Sequence, residues 1–143
     1  CGPWGDRCAG ATEVMTRADI VSASPFFIVR RTEESLAFYR DKLGFQITFQ
    51  EPSVRPFFGI VARGGAMIML KSVGVEPAPN RTREPSARWD AYLHVPDPDT
   101  LALEFAAKGV EFSVPLKDTA DGLRGFEITD RDGYVLFFGR PRD

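Results

Sequence analysis

The stretch Phe126–Phe138, FEITDRDGYVLFF, sets the frame for the whole chain. Phe126 and Ile128 alternate with polar residues. Asp130-Arg131-Asp132-Gly133 is turn chemistry, with Gly133 free to take a positive φ. Tyr134–Phe138 runs apolar and aromatic, as a buried strand does. The pattern predicts a β-hairpin. The same pattern stands earlier at Phe58–Leu70, FGIVARGGAMIML. A shift of 68 residues sets Phe58 on Phe126, Ile60 on Ile128, Arg63 on Arg131, Gly65 on Gly133 and Met69 on Phe137. So many coincidences mark an internal repeat.

The flanks of each hairpin repeat as well. Ser22–Arg31 reads as a first strand, with Pro25 near its start. Thr32 is a candidate N-cap, and Glu33 and Glu34 follow in the first helical turn, where the dipole favours acids. Leu36, Tyr39 and Leu43 form one apolar stripe, and Gly44 is placed to end the helix. Phe45–Gln50 alternates like a strand. In the second half Trp89–Val95 reads as a strand, Asp97-Pro98 as a helix start, Leu101, Ala102 and Phe105 as its apolar face, and Gly109 as its stop. Val110–Val114 is then a strand, and Thr119–Gly125 a polar loop before the final hairpin. Each half is strand, helix, strand, strand, strand. Residues 1–18 are an N-terminal extension, 19–72 the first module, 73–88 a Pro-rich linker, 89–140 the second module and 141–143 a tail.

The 143 residues are 43% hydrophobic and 12% aromatic, which suits one globular unit with a substantial core. A net charge of −2 gives no basis for nucleic-acid binding. Residues 19–72 carry seven basic and five acidic side chains, residues 88–140 six and ten, so the second half is the acidic one. No apolar run reaches the roughly 18 residues of a membrane span. With no secretory signal either, the expected location is cytoplasmic. Cys1 and Cys8 are the only cysteines, a candidate disulfide but a poor zinc site without nearby histidines. Residues 1–14 lack periodicity, and Met15 is a candidate natural start.

Two β-α-β-β-β units, with Ser35-Leu36-Ala37-Phe38-Tyr39 and Leu43-Gly44-Phe45 in the first half and Asp130-Arg131-Asp132-Gly133 before the last strand, resemble the vicinal oxygen chelate superfamily. This group includes glyoxalase I, extradiol dioxygenases and bleomycin-resistance proteins. The resemblance covers Ser22 to Gly139. It implies an α+β fold of two tandem βαβββ modules, forming a curved mixed sheet with a central cup and helices on the outer face. It also implies a homodimer. In the metal-dependent members four cup-facing positions hold His, Gln or Glu. By resemblance these fall on Ser24, Met69, Asp90 and Phe137, of which three are poor ligands or none. The sole histidine, His94, cannot supply the two or three nitrogen ligands that a catalytic zinc or facial-triad site needs.

Strand alternation places Ser24, Phe26 and Ile28, Met67 and Met69, Asp90, Tyr92 and His94, and Val135 and Phe137 on the cup face. The opposite set, including Phe27, Val29, Ile68, Leu70, Leu93, Leu136 and Phe138, should pack under the helices. The cup side chains either line a pocket or fill a small curved sheet. A pocket reading gives ligand-binding residues Ser24, Phe26, Met67, Met69, Asp90, Tyr92, His94 and Phe137, with no catalytic residue, metal or cofactor. The expected function is metal-free sequestration of a flat aromatic or cationic small molecule, as in the bleomycin-resistance members. The alternatives are a metal-dependent lyase, isomerase or dioxygenase of the same fold, and a pure interaction domain. No membrane or nucleic-acid partner is expected.

Overall fold

The computed structural model describes residues 17–143; the readings of residues 1–14, of Cys1 and Cys8, and of Met15 lie outside the described residues. The first module comprises β1 (Phe26–Ile28), α1 (Thr32–Asp41), β2 (Gln46–Glu51), β3 (Phe58–Arg63) and β4 (Ala66–Lys71). A short helix, α2 (Asn80–Arg83), lies in the connecting stretch. The second module comprises β5 (Ala91–His94), α3 (Pro98–Ala107), β6 (Val114–Asp118), β7 (Leu123–Thr129) and β8 (Val135–Pro141). Each module is a four-stranded mixed sheet, ordered β1-β4-β3-β2 and β5-β8-β7-β6, with the first and last strands of the module paired in parallel.

Several local features depart from the sequence reading, each for a physical reason. The first strand is only three residues long, because Pro25 has no N–H with which to extend the ladder along β4. Arg31, not Thr32, is the N-cap of α1; the Thr32 hydroxyl donates instead to the carbonyl of Phe57 and meets Ser72 Oγ at 2.6 Å. The strand expected at Val110–Val114 begins only at Val114, and β7 starts at Leu123, inside the expected loop. Asp97 does cap α3, accepting the Thr100 N–H at 3.1 Å, and Gly44 and Gly109 carry φ of +73° and +77° just beyond the two helices.

The repeat contains a one-residue slip. Ile60 pairs with Met69, but Ile128 pairs with Leu136 and it is Glu127 that pairs with Phe137. The β4–β8 match therefore keeps the 68-residue shift, while β3 matches β7 at 67. The cause is turn length. Arg63 and Ala66 close a two-residue turn in the first hairpin, whereas Thr129 and Val135 bracket a five-residue turn in the second. Because side chains alternate, the slip exchanges faces: Phe126 and Ile128 enter the core, and Glu127 points the other way.

The helix-bearing faces of the two sheets meet in a single hydrophobic core. Leu36, Tyr39 and Leu70 of the first module share it with Phe105, Phe126 and Leu136 of the second. Phe27 stacks on Tyr134 at 4.2 Å, and Phe105 meets Phe126 and Phe138 edge-on at 5.7 and 5.3 Å. Gly59 is required at the α1–β3 contact, since a Cβ there would sit 2.6 Å from Leu36 Cδ2.

Polar side chains also tie the modules together. Asp130 Oδ1 accepts the N–H groups of Asp132 and Tyr134, both at 2.9 Å, and Oδ2 accepts the Tyr39 hydroxyl at 2.6 Å. Asp132 accepts from the Ser35 hydroxyl at 2.7 Å and from the Arg30 N–H at 2.9 Å. The motif residues Ser35 and Tyr39 are therefore bonded directly to the motif acids of the last hairpin, forming a clasp. Burial pushes the Asp130 carboxyl up to about 6, against the three hydrogen bonds that favour its ionised form, and burial beside Asp130 holds the Tyr39 phenol well above its ordinary range. On the far side Arg63 forks onto Glu104 at 2.8 and 2.9 Å and holds that carboxylate below its ordinary range.

Candidate functional site

With the helix faces joined, the opposite sheet faces look away from the shared core. On the first module this outer face is apolar at its centre and flanked by Gln46, Glu51 and Lys71. Phe26 is 53% exposed and stacks on Phe58 at 6.1 Å, and Phe58 meets Phe49 at 6.0 Å. Met69 lies opposite both Phe26 and Ile60, and Met67 is half-buried one pleat further along β4. Ser24 precedes β1 and is half-buried.

The outer face of the second module is an aromatic cluster. Trp89 stacks on Phe137 at 4.5 Å and 24°. Tyr92 lies 5.3 Å from Phe137 and 4.5 Å from the His94 ring, and His94 is exposed at the edge. Two glycines make this possible. Gly125 and Gly139 face one another across β7 and β8, and a Cβ on either would fall 2.7 or 2.4 Å from the Phe137 ring. The bare backbone is a floor on which that ring lies. Arg88 lies over the Trp89 ring at 4.0 Å and pairs with Asp121. Burial, with Asp121 nearby, raises the Tyr92 phenol above its ordinary value, so it stays a neutral donor at physiological pH.

Tyr92, His94 and Phe137 are thus brought together as the strand alternation implied. Trp89, the largest ring in the cluster, and Glu127 were not among the expected site residues. Asp90 is at the expected strand end, but both of its oxygens are engaged: Oδ1 accepts the Asn80 N–H at 2.9 Å and Oδ2 the Val135 N–H at 2.8 Å, pinning α2 to the start of β8. Phe26, Met67 and Met69 belong to the other sheet, and Ser24 lies just before its first strand.

Two cavities adjoin these surfaces. One of about 670 Å³ lies between the modules. It runs from the β3–β4 turn along Ala66–Ile68, across β5 and onto the first turns of α3; Met67, Tyr92 and His94 reach it, but Phe26, Met69 and Phe137 do not line it. The other, of about 460 Å³, lies on the outer face of the second module against Trp89, Phe137 and Glu127.

The four positions that the resemblance assigns to metal ligands fit a catalytic divalent ion poorly. Phe137 has no donor atom, Met69 offers a thioether, and the Asp90 oxygens hold backbone amides. Among the described residues no group of three or more His, Cys, Asp or Glu side chains is placed to hold a metal ion.

Paired βαβββ modules, each opening an outer sheet face beside its parallel first and last strands, define the class: this is the vicinal oxygen chelate fold. The chain belongs to the Glyoxalase/Bleomycin resistance protein/Dioxygenase superfamily, whose sequence profile matches residues 20–138. Solved structures agree on the fold. The bleomycin-binding protein of Streptomyces verticillus, complexed with copper(II)-bleomycin, superposes with a TM-score of 0.67 at 21% identity, over 88% of this chain and 100% of that one. TioX from Micromonospora sp. ML1 gives 0.63 at 19%, over 84% and 99%. A superfamily member from Sphaerobacter thermophilus gives 0.62 at 22%, over 88% and 99%. No curated protein sequence matches the chain. No helix among the described residues is long and apolar enough to cross a membrane.

Proposed function

We propose that this protein binds a flat aromatic or cationic small molecule and holds it without altering it and without a metal of its own. The observation that carries this reading is the aromatic cluster Trp89–Tyr92–Phe137, whose Phe137 ring rests on a floor of glycines. A structural core would bury such rings under a helix; here Phe137 is buried beneath Trp89 on the face of the sheet away from the helix, and the half-buried Trp89 and Tyr92 stand beside cavities. Stacking of this kind favours planar ligands and, through the ring faces, cations. The bleomycin complexes among the structural relatives support the same reading.

In a single chain the Phe26, Met67 and Met69 side and the Tyr92, His94 and Phe137 side lie on separate sheets, and each makes half a groove. A second copy, related by a two-fold axis, would set the first-module face of one protomer against the second-module face of its partner. It would also cover the exposed Phe26 and the open strand edges. Light scattering at tens of micromolar is expected to give twice the chain mass; a monomer would leave the groove open and count against this arrangement.

The functional test is calorimetric titration with metal-free bleomycin, copper(II)-bleomycin and flat cationic dyes, followed by mass spectrometry of the recovered ligand. Saturable binding with the ligand returned intact is the expected result, with no stoichiometric divalent metal by elemental analysis. Turnover that disappears when a bound metal is removed would replace this reading with the enzymatic one.

A further inference from the structure

Glu127 sits in the middle of β7, 3% exposed, on the same face as its cross-strand partner Phe137. One carboxylate oxygen accepts from the Arg81 guanidinium at 3.0 Å. The other, Oε2, is buried and has no hydrogen-bond partner among the described residues. The side chain lines the 460 Å³ cavity beside Trp89 and Phe137. A buried carboxylate oxygen without a donor is expensive to maintain. The strand needs no acid here, since the equivalent position of the first module is Ile60. Asp90 is not a competing acceptor, because both its oxygens hold backbone amides.

We infer that Glu127 Oε2 is the recognition point of the second-module face, taking an N–H donor on the edge of a flat heteroaromatic ring that lies in the cavity against Trp89 and Phe137. The ligand class is a ring bearing an amine, amidine or ring N–H. Charge alone is not what the site reads, because Arg81 already neutralises the carboxylate and Arg88 and Lys117 stand on the rim. This deepens the proposed function and rests on it.

Two probes of the same ring and charge isolate the hydrogen bond: 9-aminoacridine, which carries N–H donors, and N-methylacridinium, which has none. The parent is expected to bind 9-aminoacridine more tightly. Glu127→Gln should weaken 9-aminoacridine about ten- to a hundred-fold, the range of a lost charge-assisted hydrogen bond, and change N-methylacridinium less than about three-fold. Arg81→Gln, an exposed change that frees the second oxygen, should tighten 9-aminoacridine several-fold; it serves as the second test if Glu127→Gln lowers stability. If the parent binds both dyes and Glu127→Gln changes neither, or changes both equally, Glu127 is only the partner of Arg81 and this inference fails while the binding function stands. A weakening by Arg81→Gln would also overturn it. A parent that binds neither dye overturns both readings.

Discussion

Asp130→Ala should cost about 3–5 kcal/mol of folding stability, measured by chemical denaturation at pH 7. The change strands three donors at once, the Tyr39 hydroxyl and the N–H groups of Asp132 and Tyr134, and a buried donor left unmet costs about 1–3 kcal/mol. That is a large fraction of the stability of a domain this size. Asp130→Asn should behave differently, because the amide keeps the shape and can still accept from the backbone. Its effect should also depend on pH. Asp130 has a folded value near 6 and an unfolded value near 4, so the native state holds a proton that the unfolded chain releases between them. Its contribution to stability is complete below about pH 4 and lost as pH rises through 6, by about 3 kcal/mol at the upper limit. Asparagine carries no such loss. The variant should therefore gain on the parent as pH is raised from 4 to 7.5; parallel stability curves would show that Asp130 does not titrate in this window.

Gly125→Ala is the second large effect. A Cβ there would lie 2.3 Å from the carbonyl oxygen of Phe138 and 2.7 Å from the Phe137 ring. The backbone oxygen cannot move without breaking the β7–β8 pairing, so the clash is expected to cost at least about 2–3 kcal/mol. The ring would be lifted off its floor, disturbing the Trp89 stack, and affinity for flat ligands should fall about tenfold or more. Gly65→Ala is the control, since nothing lies within 4 Å of its added Cβ. It should leave both stability and binding within a few tenths of a kcal/mol of the parent. Equal behaviour of the two variants would mean that the Phe137 ring does not depend on the glycine floor.

Much of the architecture was legible because it rests on local chemistry. Asp97-Pro98, Gly44 and Gly109 delimit helices through capping and positive φ, and the apolar runs of the hairpins have no other use than burial. The repeat was legible too, but its register was not. A shift that matches Phe58 to Phe126 and Met69 to Phe137 looks uniform in sequence, yet it conceals an unequal turn. Strand faces alternate with every residue, so the unequal turn was enough to set Glu127 on Gly59, under the helix, when it belongs on Ile60, facing out. The signal that could have found it is compositional: an acid flanked by Phe126 and Ile128 cannot share their buried face. Trp89 escaped for another reason. It lies before the regular strand, where alternation carries no information, and it reaches the site only because its ring folds onto Phe137. The engagement of Asp90 was hidden because its partners are backbone groups, which no side-chain pattern reports.

The clasp has a consequence for how the chain assembles. Ser35 and Asp132 stand 97 residues apart and Tyr39 and Asp130 91, so these bonds form only after most of the chain has been made and one long loop has closed. Until then the acids of the DRDG turn sit on a solvated hairpin. The unfinished second module carries its own negative charges at the surface that will later vanish against α1. A duplicated unit that folded by itself would have no reason to leave two carboxylates waiting there. The halves of this chain repeat one pattern but are not interchangeable: each holds the groups that the other lacks, and separating them at the linker would expose Tyr39 and Phe27 on one piece and a pair of orphaned acids on the other.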